Sequence, residues 1–180
     1  IYTGEDTLSL HDALPIYAQA TYGAVFEGFI LSKLSGRVQP FEYDFIDGII
    51  TVSNRPTPAT NNRGELLAIV LSLQYITAIF KDANIELVVD SKYSKDVGEL
   101  WMNTWVPGEY VRANMDLIKI FYYLSLPFNI TYVHQFSHVK NPKTPNEIGN
   151  AMADSLTNEA YEYDSNDYSR HIQRVWEYNN

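Results

Sequence analysis

The sequence predicts a mixed α/β fold, one sheet with helices on both faces. Three observations carry this. The predicted elements run strand, strand, helix, strand, helix, helix, strand, helix. Leu66, Ile69, Val70 and Leu73 recur at helical spacing in the middle of the chain. Ile85 to Val89 is a short, wholly apolar run, which suits a strand buried on both faces.

Taken in order, Thr21 to Leu31 (TYGAVFEGFIL) has the aromatic and β-branched composition of a strand. Leu34 to Phe45 reads as the strand returning from it, with Pro40 marking an edge or a bulge. Gly48 to Pro58 reads as irregular, and Pro56 and Pro58 hold Ala59 and Thr60 out of a helix. A helix then covers Arg63 to Phe80, with Asn61 or Asn62 as its cap and Glu65 in its first turn, where the macrodipole favours an acid. Asp82-Ala83-Asn84 turns the chain into the Ile85–Val89 strand, which ends at Asp90. The next helix carries Tyr93, Trp101 and Trp105 and stops at Pro107-Gly108. Asn114 to Leu124 is helical, Asn129 to Phe136 is the last strand, and Lys140 to Glu147 is a polar loop. Gly149 to Tyr161 closes the domain. Residues 163–180 form a polar, acidic tail in which Asp164, Asp167 and Glu177 outweigh Arg170 and Arg174.

The chain of 180 residues has room for one domain with a real core. It has no cysteine, which excludes disulfides and thiolate metal sites. No apolar run is long enough to span a bilayer, so we expect a soluble, intracellular protein with no membrane partner. The formal charge of −9 is awkward for a nucleic-acid binder, because phosphate contacts want Lys and Arg. Acids clustered around bound cations would soften that conflict.

Read by themselves, Glu65 belongs to an ordinary capped helix, Asp90 to a turn at a strand end, and Asp154 to a solvated helix face. Their placement is also what a divalent-cation site needs: hard oxygen ligands fixed on rigid elements.

The combination has a family likeness. TNNRGELLA (Thr60 to Ala68), followed by a strand ending in VVDSKY, resembles type 1 ribonuclease H. WMNTW, ANMDL, a strand ending in Ser137-His138, and GNAMAD (Gly149 to Asp154) then follow in the family's order. The resemblance runs from about Tyr22 to about Tyr161. It implies a five-stranded mixed sheet and an endonuclease that cuts the RNA strand of an RNA–DNA hybrid. It further implies two magnesium ions, with manganese as a substitute, held by Glu65, Asp90 and Asp154. His138 matches a mobile catalytic histidine, giving Glu65, Asp90, His138 and Asp154 as the catalytic set. Asn61 and Asn62 match minor-groove contacts to the hybrid, where the 2′-OH distinguishes RNA. Trp101 and Trp105 match the face turned to the DNA strand, with one of the two in the core. We expect a monomer.

Two departures matter. Ala151 stands where the family motif has an acid, and a competing frame would put Asn150 rather than Asp154 at the ligand position. The family's basic protrusion is absent, since Val106 to Val111 is short and holds no Lys or Arg. That predicts weaker, more salt-sensitive binding, or a missing partner domain.

A third departure is at the start. Residues 1–16 (IYTGEDTLSLHDALPI) resemble the in-frame translation of a sequencing adapter, which accounts for the whole segment. Ile1 to Gly4 also resemble a damaged form of the family's first strand, IYTDG, but that explains only the first few residues. The native domain is therefore expected at 17–162, without its first strand and without that strand's catalytic aspartate. Leaving out Glu5, Asp6 and Asp12 changes the charge from −9 to −6. The alternatives are a non-catalytic hybrid-binding fragment or a ribonuclease H-fold nuclease that cuts DNA.

Overall fold

The computed structural model describes residues 1–8, 19–26, 33–136 and 138–160. The expected tail at 163–180, the middle and end of the adapter-like segment and part of the Thr21–Leu31 strand lie outside the described residues.

A five-stranded sheet has the order β3-β2-β1-β6-β7, built from β1 (Tyr2–Leu8), β2 (Gln19–Val25), β3 (Lys33–Arg37), β6 (Ala83–Val89) and β7 (Phe128–His134). β1, β2 and β3 are antiparallel, and β1, β6 and β7 are parallel. The mixed sheet predicted from the sequence is therefore present. The central position, for which no native strand was in view, is filled by Tyr2–Leu8. Its register pairs Tyr2 with Val88 and Thr3 with Val89 on one side, and Gly4 with Gly23 on the other. Ladder bonds use only backbone groups, so a strand can take this place whatever the origin of its side chains.

Side chains alternate across the sheet. Ala20, Tyr22 and Ala24 of β2 and Leu87 and Val89 of β6 enter the large core beneath α1 (Asn61–Ile79) and α4 (Met115–Ser125). Val25 and Val88 enter a smaller cluster with Ala153 and Leu156 of α5 (Pro145–Ala160) on the opposite face. Two glycines permit this sandwich. A Cβ at Gly64 would lie 2.5 Å from the Thr21 carbonyl oxygen, and one at Gly23 would lie 2.6 Å from that of Ala153. α1 and α5 thus press on β2 from its two sides.

Two expectations from the sequence need correction. Leu34 to Phe45 is not one strand: it breaks around Pro40, which has no N–H for a ladder. Gly48 to Pro58 is not irregular. β4 (Phe41–Ile46) and β5 (Ile49–Pro56) form a hairpin of their own, joined by Asp47-Gly48 at φ 52° and 77°. Paired positive φ at Asp-Gly is the tight-hairpin signature, and β-branched Ile49, Ile50 and Thr51 follow it. The tryptophan helix is likewise segmented into α2 (Lys92–Asp96), a π-helical turn over Val97–Trp101, and α3 (Met102–Trp105).

The hairpin is locked to the helical layer by a buried ion pair. Arg63, in the first turn of α1, donates through both terminal nitrogens to Asp116 at 2.9 and 2.7 Å. Arg63 is 2% exposed and Asp116 9% by side chain. The Tyr43 N–H of β4 donates to the same carboxylate at 2.8 Å, and the guanidinium lies over the Tyr43 ring. Burial pushes the Asp116 carboxyl up, but Arg63 and the Tyr43 N–H outweigh it and hold it below its ordinary value. A carboxyl depressed in the fold contributes stability above its unfolded value and loses it as pH falls through the folded value. Asp116→Asn, which strands a buried guanidinium, should cost about 3–5 kcal/mol near neutral pH. In urea unfolding, the gap between the two proteins should close as pH falls through the acid range. A constant gap across that range would mean that Asp116 is not held ionised by Arg63.

Candidate active site

Thr60 caps α1, its hydroxyl accepting from the Arg63 N–H at 3.3 Å. The cap is thus one residue before the asparagines named from sequence. That leaves Asn61 exposed and Asn62 half-buried at the head of the helix. Glu65 follows and is fully buried, its Oε1 accepting a short hydrogen bond from the Thr3 hydroxyl of β1. Thr3 was missed in the sequence because its segment was set aside, although alternation along β1 puts it on the α1 face with Ile1.

Asp90 lies half-buried one residue beyond β6. His134, at the end of β7, has its Nε2 3.0 Å from the Asp90 carbonyl oxygen. A carbonyl only accepts, so Nε2 carries the hydrogen and donates. His134 is half-buried and ties the ends of two parallel strands together at the point where Asp90 leaves the sheet.

Asp154 and His138 share a cavity of about 160 Å³ with Phe136, Glu147, Asn150 and Ala151. His138 is exposed, with φ at 57°. Asn150 and Asp154 are one turn apart and both reach this cavity, so the two alignment frames point to the same wall of α5. Glu147 belongs to a reciprocal cap: Thr144 accepts from the Glu147 N–H at 3.2 Å, and the Glu147 carboxylate accepts from the Lys143 N–H at 2.8 Å. The Lys143 and Thr144 N–H groups, both donating to this carboxylate, lower its pKa. T-P-N-E was legible as a capping box and was read as loop.

The three expected ligands do not form one donor set. Among the described residues no three of His, Cys, Asp and Glu converge into a group able to hold a metal ion. Glu65 is engaged by Thr3 on the α1 face, while Asp154 opens on the α5 face. Extending the β1–β6 pairing by one residue sets Gly4 beside Asp90, and Gly4 pairs with Gly23, whose Cβ direction runs to α5. Position 4 thus lies between the end of β6 and the α5 face and carries no side chain.

Trp101 and Trp105 are stacked, with ring centroids 5.1 Å apart, and both are half-buried against the large core rather than divided between core and surface. Tyr93 meets Trp101 edge-on at 6.1 Å, and its hydroxyl accepts from the Asn114 side-chain amide at 3.1 Å. Asn114 in turn accepts from Arg63 at 3.3 Å. The tryptophan pair and the head of α1 are thus parts of one connected assembly.

A family model described as RNase H matches residues 40–162, so the match begins after β3. Ribonuclease H of Zymomonas mobilis is 30% identical over 115 residues, covering 61% of this chain and 68% of that protein. Ribonuclease H of Francisella philomiragia is 30% identical over 124 residues, covering 66% of this chain and 74% of that protein. The crystal structure of LC11-RNase H1 in complex with RNA/DNA hybrid superposes with a TM-score of 0.53 at 17% identity, covering 89% of this chain and 94% of that one. The last likeness concerns the fold alone.

The Thr3–Glu65 contact is open to direct test. Thr3→Val keeps the shape and removes the donor, leaving a buried carboxylate oxygen short of a partner. It should lower stability by about 1–3 kcal/mol in chemical denaturation at neutral pH, and Thr3→Ser should recover most of that. Equal stability of the valine and serine variants would remove the hydroxyl from the account.

Proposed function

This chain belongs to the RNase H family, and on that premise we propose that its site is built to hydrolyse the RNA strand of an RNA–DNA hybrid, with cleavage impaired in the chain as it stands. The family acts on such hybrids and generally uses divalent metal ions. The observation that carries the reading is the delivery of Glu65 by the TNNRGEL helix start to β1, at the level where the chain leaves β6 at Asp90. The relative solved with an RNA/DNA hybrid supports the choice of ligand.

In this reading Asn61 and Asn62, at the open head of α1, contact the minor groove. Trp101 and Trp105 receive the DNA strand. Glu65, Asp90 and Asp154 are the carboxylates of a magnesium site, and His138 stands at its rim to move a proton or help product leave. Two magnesium ions, or manganese in their place, would activate water and stabilise the leaving oxygen once such a site is complete. Among the described residues the side chains as arranged do not complete it.

That incompleteness favours a second reading for this chain alone, a hybrid-binding protein with little or no cleavage. It rests on Gly4 and on the adapter-like character of residues 1–16. DNA cleavage is disfavoured, because the asparagines after Thr60 suit a hybrid rather than duplex DNA. No described helix is long and apolar enough to cross a membrane.

The test is cleavage of a labelled hybrid with magnesium. The unaltered chain should cut little or not at all, and Gly4→Asp should gain activity by about a hundredfold or more, the scale on which a misplaced catalytic group is felt. Asp90→Asn in the Gly4→Asp background should abolish the gain. Efficient cutting by the unaltered chain would show that position 4 is not the missing ligand. Cutting of duplex DNA in preference to hybrid would overturn the substrate.

A further inference from the structure

Charge balance and the short Val106–Val111 segment argue against firm nucleic-acid binding, yet the next residue is a cation that the fold holds in place. The Arg112 guanidinium lies 5.7 Å from the Trp105 ring centroid and 5.3 Å from that of Tyr110. It is exposed, and one terminal nitrogen donates to the Val111 carbonyl at 3.0 Å. Arg55, Arg63, Lys92 and Lys95 are each paired with a carboxylate, while among the described residues no carboxylate pairs with Arg112.

The local chain is shaped to produce this. α3 delivers Trp105 already stacked on Trp101. Gly108 lets Tyr110 fold back, since a Cβ there would lie 2.6 Å from the Tyr110 ring. The Tyr110 N–H donates to the Trp105 carbonyl at 2.9 Å and closes the loop. An exposed arginine ordinarily loses much side-chain freedom on binding an anion. Here two aromatic rings have already restricted it, and its remaining N–H donors are not spent on an internal acid.

We propose that Arg112, braced by Trp105 and Tyr110, is a phosphate contact for the nucleic-acid strand that crosses the tryptophan pair. The proposal rests on the hybrid-binding reading above. It gives an acidic protein one pre-ordered cation at its binding face, where the longer basic segment of the family is missing. A planar guanidinium can take a phosphate oxygen pair through two N–H groups, which an ammonium cannot.

The experiment is equilibrium binding of a labelled RNA–DNA hybrid by the full chain in the presence of a metal chelator, over a salt series, for the unaltered protein, Arg112→Ala and Arg112→Lys. Loss of one phosphate contact should reduce the magnitude of the slope of log affinity against log salt by about 0.7–0.9. Arg112→Ala should show that reduction together with several-fold weaker binding at low salt. Arg112→Lys should keep the slope and bind less tightly than arginine, because an ammonium lacks the planar fork that takes a phosphate oxygen pair. Unchanged affinity and slope in Arg112→Ala would overturn the proposal while leaving hybrid binding intact. Weaker binding with an unchanged slope would also overturn it, reducing Arg112 to a brace for the loop. Failure of the unaltered chain to bind hybrid at all would overturn the functional reading and this proposal with it.

Discussion

The sheet is continuous only through β1. β2 and β3 are antiparallel partners on one side, and β6 and β7 are parallel partners on the other. Without Tyr2–Leu8 each pair would expose a strand edge to the other, and both edges would lack ladder partners. The same strand joins the layers, since Thr3 reaches Glu65 on the α1 face while Gly4 faces α5 through its pairing with Gly23. A side-chain contact and a backbone position facing the other layer therefore fall on adjacent residues. The backbone pairing is met by any chain able to extend.

Fold and site chemistry are thus set by different groups. Strand pairing, the close approaches at Gly64 and Gly23, and the Arg63–Asp116 pair all act on fold and positioning. They bring the head of α1, the end of β6 and the cavity wall of α5 to the neighbourhood of β1. The polar network from Arg63 through Asn114 to Tyr93 extends this order to the tryptophan pair. Asn114 accepts a left-handed φ of 65° to serve it, a conformation that asparagine tolerates better than most residues. The head of α1 and the tryptophan pair are thus held together by part-buried polar contacts.

Much of this was legible in the residues. Periodicity located α1, α4 and α5 to within a few positions, and the apolar run Ile85–Val89 marked β6. Glu65 and Asp90 stood out because each terminates or begins a regular element, and geometry is fixed there. Pro56 and Pro58 suggest irregular chain where the β4–β5 hairpin lies, although Asp47-Gly48 is the stronger signal. Thr3, Arg63 and Arg112 were not singled out. Their roles come from contacts with residues distant in sequence, or from aromatic rings brought close by a loop, and spacing along the chain does not encode these. That Glu65, Asp90 and Asp154 fail to converge was equally invisible, because it depends on which faces of the sheet they occupy.

The claim on which the rest stands is that Tyr2–Leu8 is an integral central strand. Native-state amide hydrogen exchange tests it most directly, since protection reports the opening energy of each segment. The amides of β1 that bond to β2 and β6 should exchange as slowly as those of β6. Exchange of β1 at unfolded rates, while β6 and β2 remain protected, would contradict the account and leave the sheet divided at its centre.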